Sequence, residues 1–222
     1  AADETPRSTL PSGRMSLSES SHVIRPLIVC LLAGSSMLAA QSEAPPTVAE
    51  WRADLQLLAR EFPARHPGPF LNITRAQWDS AVTSLDRRLP TLDQDQTLVA
   101  FFQLVALPGD AHTTVQPKPA RPLHYFPTEL SSFEDGLFIR RADSAHAALV
   151  GARVVQFGNA SADEAMSRVA TIVPHENDWW VRAWGPFWLT TAEMFHGLGL
   201  TEDPDRLRLV VESGGRLDTV FV

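Results

Sequence analysis

The hydrophobic period changes near residue 112, and that change constrains the fold more than any other feature of the chain. Before it, apolar residues recur every three or four positions. After it, they gather in short runs between proline and glycine turns. A helical first part and a strand-rich second part make an α+β chain.

The first expected helix covers 47–62. Thr47 caps its start, with Glu50 as the capping-box partner, and Val48, Trp51, Leu55, Leu58 and Phe62 share one face. Pro63 is expected to end it. The turn His66-Pro67-Gly68-Pro69-Phe70 follows. A second helix begins near Thr74, carries Trp78, Val82, Leu85 and Leu89, and stops at Pro90. A third, over 92–107, bears Leu98, Phe101, Phe102, Leu104 and Val105. It is apolar almost all round and should be the buried member of the trio. Pro108-Gly109 terminates it.

Beyond His112, 113–116 reads as β-like, and Pro117, Pro119, Pro122 and Pro127 mark a linker or extended crossing segment. Strands are expected over 136–141 and 152–157. Ser161 caps a helix over 161–173, with Glu164 as its box partner, and 178–196 reads as an aromatic-rich helix. Strands over 206–211 and 216–222 flank Ser213-Gly214-Gly215, a hairpin signal. Trp180, Trp184, Phe187 and Trp188 stand at helical spacing, a pattern of core or domain interface more often than of a peptide groove.

The first 46 residues differ from the rest. A charged stretch with Arg25 precedes the apolar run 26–40, and small and polar residues follow, which is the layout of a secretory signal with cleavage near Ala40. The alternatives are an uncleaved anchor or a buried helix. The expected organisation is an upstream extension over 1–14, signal and linker over 15–46, a helical region with the histidine loop and crossing segment over 47–127, and a strand-rich domain over 128–222. Export to the periplasm or beyond follows from the signal. Cys30, the only cysteine, lies inside the apolar run, so the mature chain would have no disulfide and no thiol chemistry. With 44% hydrophobic residues the composition is globular. A net charge of −7 and no Lys/Arg run argue against a nucleic-acid partner.

The chemistry-bearing stretch is Gly109-Asp110-Ala111-His112-Thr113-Thr114. His112 is a candidate general base, since imidazole titrates near neutral pH; the bland alternative is a loop histidine bonded to a backbone carbonyl. Asp110 orients a histidine or caps the following turn, and Gly109 serves as a helix C-terminal residue. His175-Glu176-Asn177-Asp178 lacks the second histidine one turn later that a zinc helix needs, so no metal is expected there. No Gly-x-Ser-x-Gly elbow or phosphate-binding glycine loop exists. Asn72-Ile73-Thr74 and Asn159-Ala160-Ser161 match the glycosylation sequon, and each also reads as a turn or helix cap.

In order and spacing these pieces resemble the tail-specific (C-terminal-processing) serine peptidases, in their tricorn-core-like branch. The matching residues are Trp51 with Asp54-Leu55, the His66-Pro67-Gly68-Pro69-Phe70 turn, Trp78, the helix ending Leu104-Val105-Ala106-Leu107, and Gly109 to Thr113. Asp135-Gly136-Leu137-Phe138-Ile139 and the run Leu149 to Val155 continue the match, which covers roughly 47–222. The resemblance implies a helical N-terminal region, a PDZ-like peptide-docking domain over 128–222, and an α/β core with the serine nucleophile beyond Val222. It makes His112 the base for that serine, supported by Gly109, Asp110 and Thr113. The substrate would be a peptide or unfolded protein, and no metal or organic cofactor is implied. Ala111 stands where the family usually has glycine; if that position needs positive φ, alanine there costs about 1 kcal/mol or more. In relatives with a serine–lysine dyad His112 would be structural. A secreted PDZ-like module that binds without cutting is the alternative, and a purely structural helical–β protein the third reading.

Overall fold

Reciprocal capping boxes open the first three helices of the computed structural model, which describes residues 44–116 and 121–222. The residues over 1–43 of the signal reading, Cys30 among them, and Pro117 and Pro119 of the crossing segment lie outside the described residues. In helix α1 (Val48–Arg65) the Thr47 hydroxyl accepts from the Glu50 N–H and Glu50 returns to the Thr47 N–H. Thr74 and Gln77 do the same for α2 (Arg75–Arg88), and Asp93 and Gln96 for α3 (Gln94–Ala106). Each box satisfies amides that a helix start leaves open.

Pro63 does not end α1. The helix runs on to Arg65, and the His66 N–H closes its last turn on the Phe62 carbonyl. A proline so near the C-terminus removes only one ladder bond, which the last turn survives. After α2 a short 3-10 turn, Leu89–Thr91, carries Pro90 in its first turn.

Helix α3 is buried on most of its surface because it serves two cores, with Gln94 and Gln96 left exposed. Ala100, Phe101 and Leu104 pack with Leu55, Trp78, Leu85 and Leu89 of the helical layer. Val99 and Phe102 face the other way, into the core beneath the sheet. Phe102 meets Trp188 edge-on at 5.2 Å between ring centres.

The sheet is antiparallel, in the order β1 (Thr128–Phe133), β2 (Gly136–Ala142), β3 (Arg153–Phe157), β5 (Arg208–Ser213), β6 (Arg216–Phe221), with the short β4 (Ala160–Ser161) paired to β3. Alternation sets its faces: Leu137 and Ile139 of β2 and Leu209 and Val211 of β5 point into the core. Helices α4 (Ala162–Ala170) and α6 (Ala192–Gly197) cover that face through Ala165, Val169, Met194 and Phe195. Gly158 makes the β3–β4 turn at φ +55°, and a Cβ there would stand 1.8 Å from the Leu200 carbonyl oxygen, so only glycine fits.

Several expectations need correction. The stretch 113–116 forms no strand; Thr113 N–H closes a turn on the Asp110 carbonyl, and Val115 leans on the core instead. The expected helix 161–173 stops at Ala170, since the Thr171 and Ile172 amides turn back to Arg168 and Val169 carbonyls, and Ile172 and Val173 drop into the core. The helix expected over 178–196 is two, α5 (Asp178–Trp188) and α6. The crossing segment claims the backbone between them: Phe126 N–H donates to the Thr190 carbonyl and Ala192 N–H to the His124 carbonyl. Trp184 and Phe187 are exposed rather than core, because Gly185 and Pro186 take the inward positions of α5 and Gly185 seats against Met166 and Val169. No helix among the described residues is long and apolar enough to cross a membrane. The observed class is α+β, with six α-helices and a six-stranded sheet among the described residues.

Candidate functional site

The loop after α3 turns at Gly109, whose φ is +69°. A side chain there would meet Asn72 Nδ2 at 3.3 Å and the His175 carbonyl oxygen at 3.4 Å. Three segments therefore converge: the turn after α1, the 108–113 loop, and the segment before α5. Asn72 Nδ2 stitches the first two by donating to the Pro108 carbonyl at 3.0 Å.

Asp110 is the hub. Its Oδ2 accepts from His66 Nε2 at 2.8 Å and from the Thr113 hydroxyl at 2.7 Å, and its Oδ1 accepts from the His112 N–H at 3.0 Å. The His112 amide, then the Thr113 hydroxyl and His66, hold its carboxyl below the usual range, at about 2. It is a fixed anion at any working pH.

The two neighbouring histidines differ in what their rings have left to give. His66 Nδ1 accepts from the Gly68 N–H at 3.1 Å, so its proton sits on Nε2 and points at Asp110. Both nitrogens are engaged, and the side chain is only 17% exposed. His112 is 89% exposed, and its Nδ1 lies 3.8 Å from Asp110 Oδ1, too far for a hydrogen bond. Its ring faces Trp180 at 6.5 Å between centres. Among the described residues, neither nitrogen of the His112 ring is hydrogen-bonded, to a carbonyl or to anything else.

Ala111 is buried, and its N–H donates to Glu176 Oε1 at 3.0 Å. No non-glycine residue described has positive φ, so alanine at this position carries no backbone strain. The 175–178 tetrad does not act as a unit. His175 Nδ1 turns to the Val173 carbonyl at 2.6 Å, Asn177 caps α5, and only Glu176 reaches the loop. Asp110, His112 and Glu176 each bring one potential ligand atom, all within 4.8 Å of one another.

No protein-family profile matches the chain. No curated protein matches it in sequence. A solved structure of mature CPAF complexed with lactacystin is similar over 79% of this chain and 34% of that one, at 14% identity and a TM-score of 0.47. The chain thus spans about a third of that protein.

Reading the sequence singled out Gly109, Asp110, His112 and Thr113 but gave His66 and Asn72 no part in the loop. The signal for His66 was a histidine leading a Pro-Gly-Pro turn, where the Gly68 amide is bound to come close. Nothing local announces the Asn72 bond.

Proposed function

We propose that the chain is the N-terminal portion of an exported serine peptidase, with His112 as general base for a serine supplied by a part of the protein outside these residues. The observation that carries the reading is the division of labour around Asp110: His66 is locked on both nitrogens, whereas His112 is presented to solvent on an anchored loop with its ring free. A base needs an open nitrogen and a fixed backbone, and His112 has both. In this reading the serine attacks a peptide carbonyl, His112 takes its proton, and the same proton passes to the leaving amine. His112 Nδ1 faces Asp110, which would favour the imidazolium formed on the way.

Substrate docking would fall to the strand-rich region, read as PDZ-like. What supports this is a groove of about 620 Å³ between the β1–β2 turn, β3 and α4, lined by Phe133, Leu137 and Met166 and by the charged Asp135, Arg153 and Arg182. An extended peptide or unfolded tail would lie across the side chains of this groove, because β3 is flanked by β2 and β5 and has no free edge. The same groove favours the second reading, a secreted peptide-binding module without catalysis.

A fluorophosphonate probe applied to the full-length gene product separates the two. The peptidase reading expects one labelled serine outside residues 1–222, with labelling slowed at least about a hundredfold in His112→Ala, the usual range for losing a general base. Absence of any labelled serine, with peptide binding intact, supports the module.

A further inference from the structure

We propose that Asp110, His112 and Glu176 form a binding site for a divalent metal of the zinc class. One ligand atom from each lies within 4.8 Å of the other two. The donor set, an imidazole nitrogen with two carboxylate oxygens, suits zinc and its neighbours; calcium and magnesium take all-oxygen shells. Three protein ligands leave a further coordination position open.

The 3.8 Å between His112 Nδ1 and Asp110 Oδ1 is too long for a hydrogen bond. It is a span that one ion bridges with bonds of about 2.0–2.2 Å. The carboxylates are oriented in advance. His66 Nε2–H and the Thr113 hydroxyl hold Asp110 Oδ2, which turns Oδ1 toward His112. The Ala111 N–H fixes Glu176 Oε1 and leaves the other oxygen free to swing onto an ion. Such outer contacts set the aim of ligating carboxylates in metal sites. The His112 ring needs no rupture of an existing bond to coordinate. Spacing along the chain hides the set, because Glu176 arrives from 65 positions beyond Ala111.

The site stands on this geometry alone. Its consequence for activity rests on the peptidase reading: a metal on His112 takes the lone pair that the base would use, so filling the site would switch the base off.

The test is calorimetric titration of Zn²⁺ into the metal-stripped 222-residue chain, with Co²⁺ absorption as a second readout. The expected result is one equivalent bound with micromolar affinity, no heat with Mg²⁺, and a visible Co²⁺ band of low symmetry. Thr113→Val should weaken binding about tenfold by loosening Asp110. His112→Ala and Glu176→Gln, each checked for an unchanged circular dichroism spectrum, should weaken it further still. No saturable Zn²⁺ uptake, or uptake indifferent to both His112→Ala and Glu176→Gln, overturns the site. Because binding is read apart from cleavage, a full-length protein that takes up zinc but, once stripped of metal, cleaves nothing rejects the peptidase reading and leaves the site standing.

Discussion

Asp110 Oδ2 stands 2.8 Å from His66 Nε2, and that bond holds one of the loop's two histidine rings while the other stays open. With Gly68 N–H on its other nitrogen, His66 is part of the frame, while His112, carried by the same aspartate through its backbone amide, is left open.

The first prediction concerns Asp110 itself. Asp110→Ala removes the acceptor of three donors: His66 Nε2–H, the Thr113 hydroxyl and the His112 amide. The site is partly wet, so water replaces some of what is lost. The expected loss is about 1–3 kcal/mol in urea unfolding. A variant as stable as the wild type would mean the hub does not hold the loop.

The same carboxylate predicts an acid limb. Its pKa in the fold is about 2 against an ordinary 3.8, so its stabilising contribution is full above 3.8 and is lost as pH falls through about 2. The wild type should therefore lose more stability than Asp110→Asn between those pH values. Parallel urea midpoints for the two proteins over that window would contradict the assignment.

Two loop positions flanking Asp110 should respond in opposite ways to the same methyl group. Gly109 has φ +69° and close neighbours at Asn72 and His175, so Gly109→Ala should cost about 1–2 kcal/mol. Ala111 has no positive φ, and Ala111→Gly should cost about 0.4–1 kcal/mol through the freer unfolded chain. A gain in stability from Ala111→Gly would show that the loop wants glycine there after all.

Helix α3 joins the helical layer to the sheet core, and this predicts cooperative unfolding. Phe102→Ala, at a position buried beneath the sheet against Trp188, should cost about 3–5 kcal/mol. Tryptophan fluorescence and far-ultraviolet dichroism should report one transition in both proteins. Two separated transitions would mean that the cores fold independently of α3.

What the sequence made legible follows the range of the forces involved. The start of α1 was readable because its capping box closes within four residues, and that of α2 from the onset of its apolar stripe. The deep burial of α3 was readable because its apolar residues cover most of its surface. Strand β1 was missed: Thr-Glu-Leu-Ser-Ser-Phe has little alternation, lies at the sheet edge, and buries only Thr128 fully. The break between α5 and α6 was hidden because residues 124–126 impose it from across the molecule. In the site, Asp110 and Thr113 are near neighbours and could be seen as one turn. His66 lies 44 positions from Asp110, and no local pattern joins them.

The most direct test of the account is kcat/KM for an unfolded protein substrate, measured on the full-length protein and its His112→Ala and His66→Ala variants. His112→Ala should lose about a hundredfold or more with its unfolding midpoint unchanged. His66→Ala should lose stability first and activity only as the loop loosens. Activity within a few-fold of wild type in a folded His112→Ala protein would contradict it.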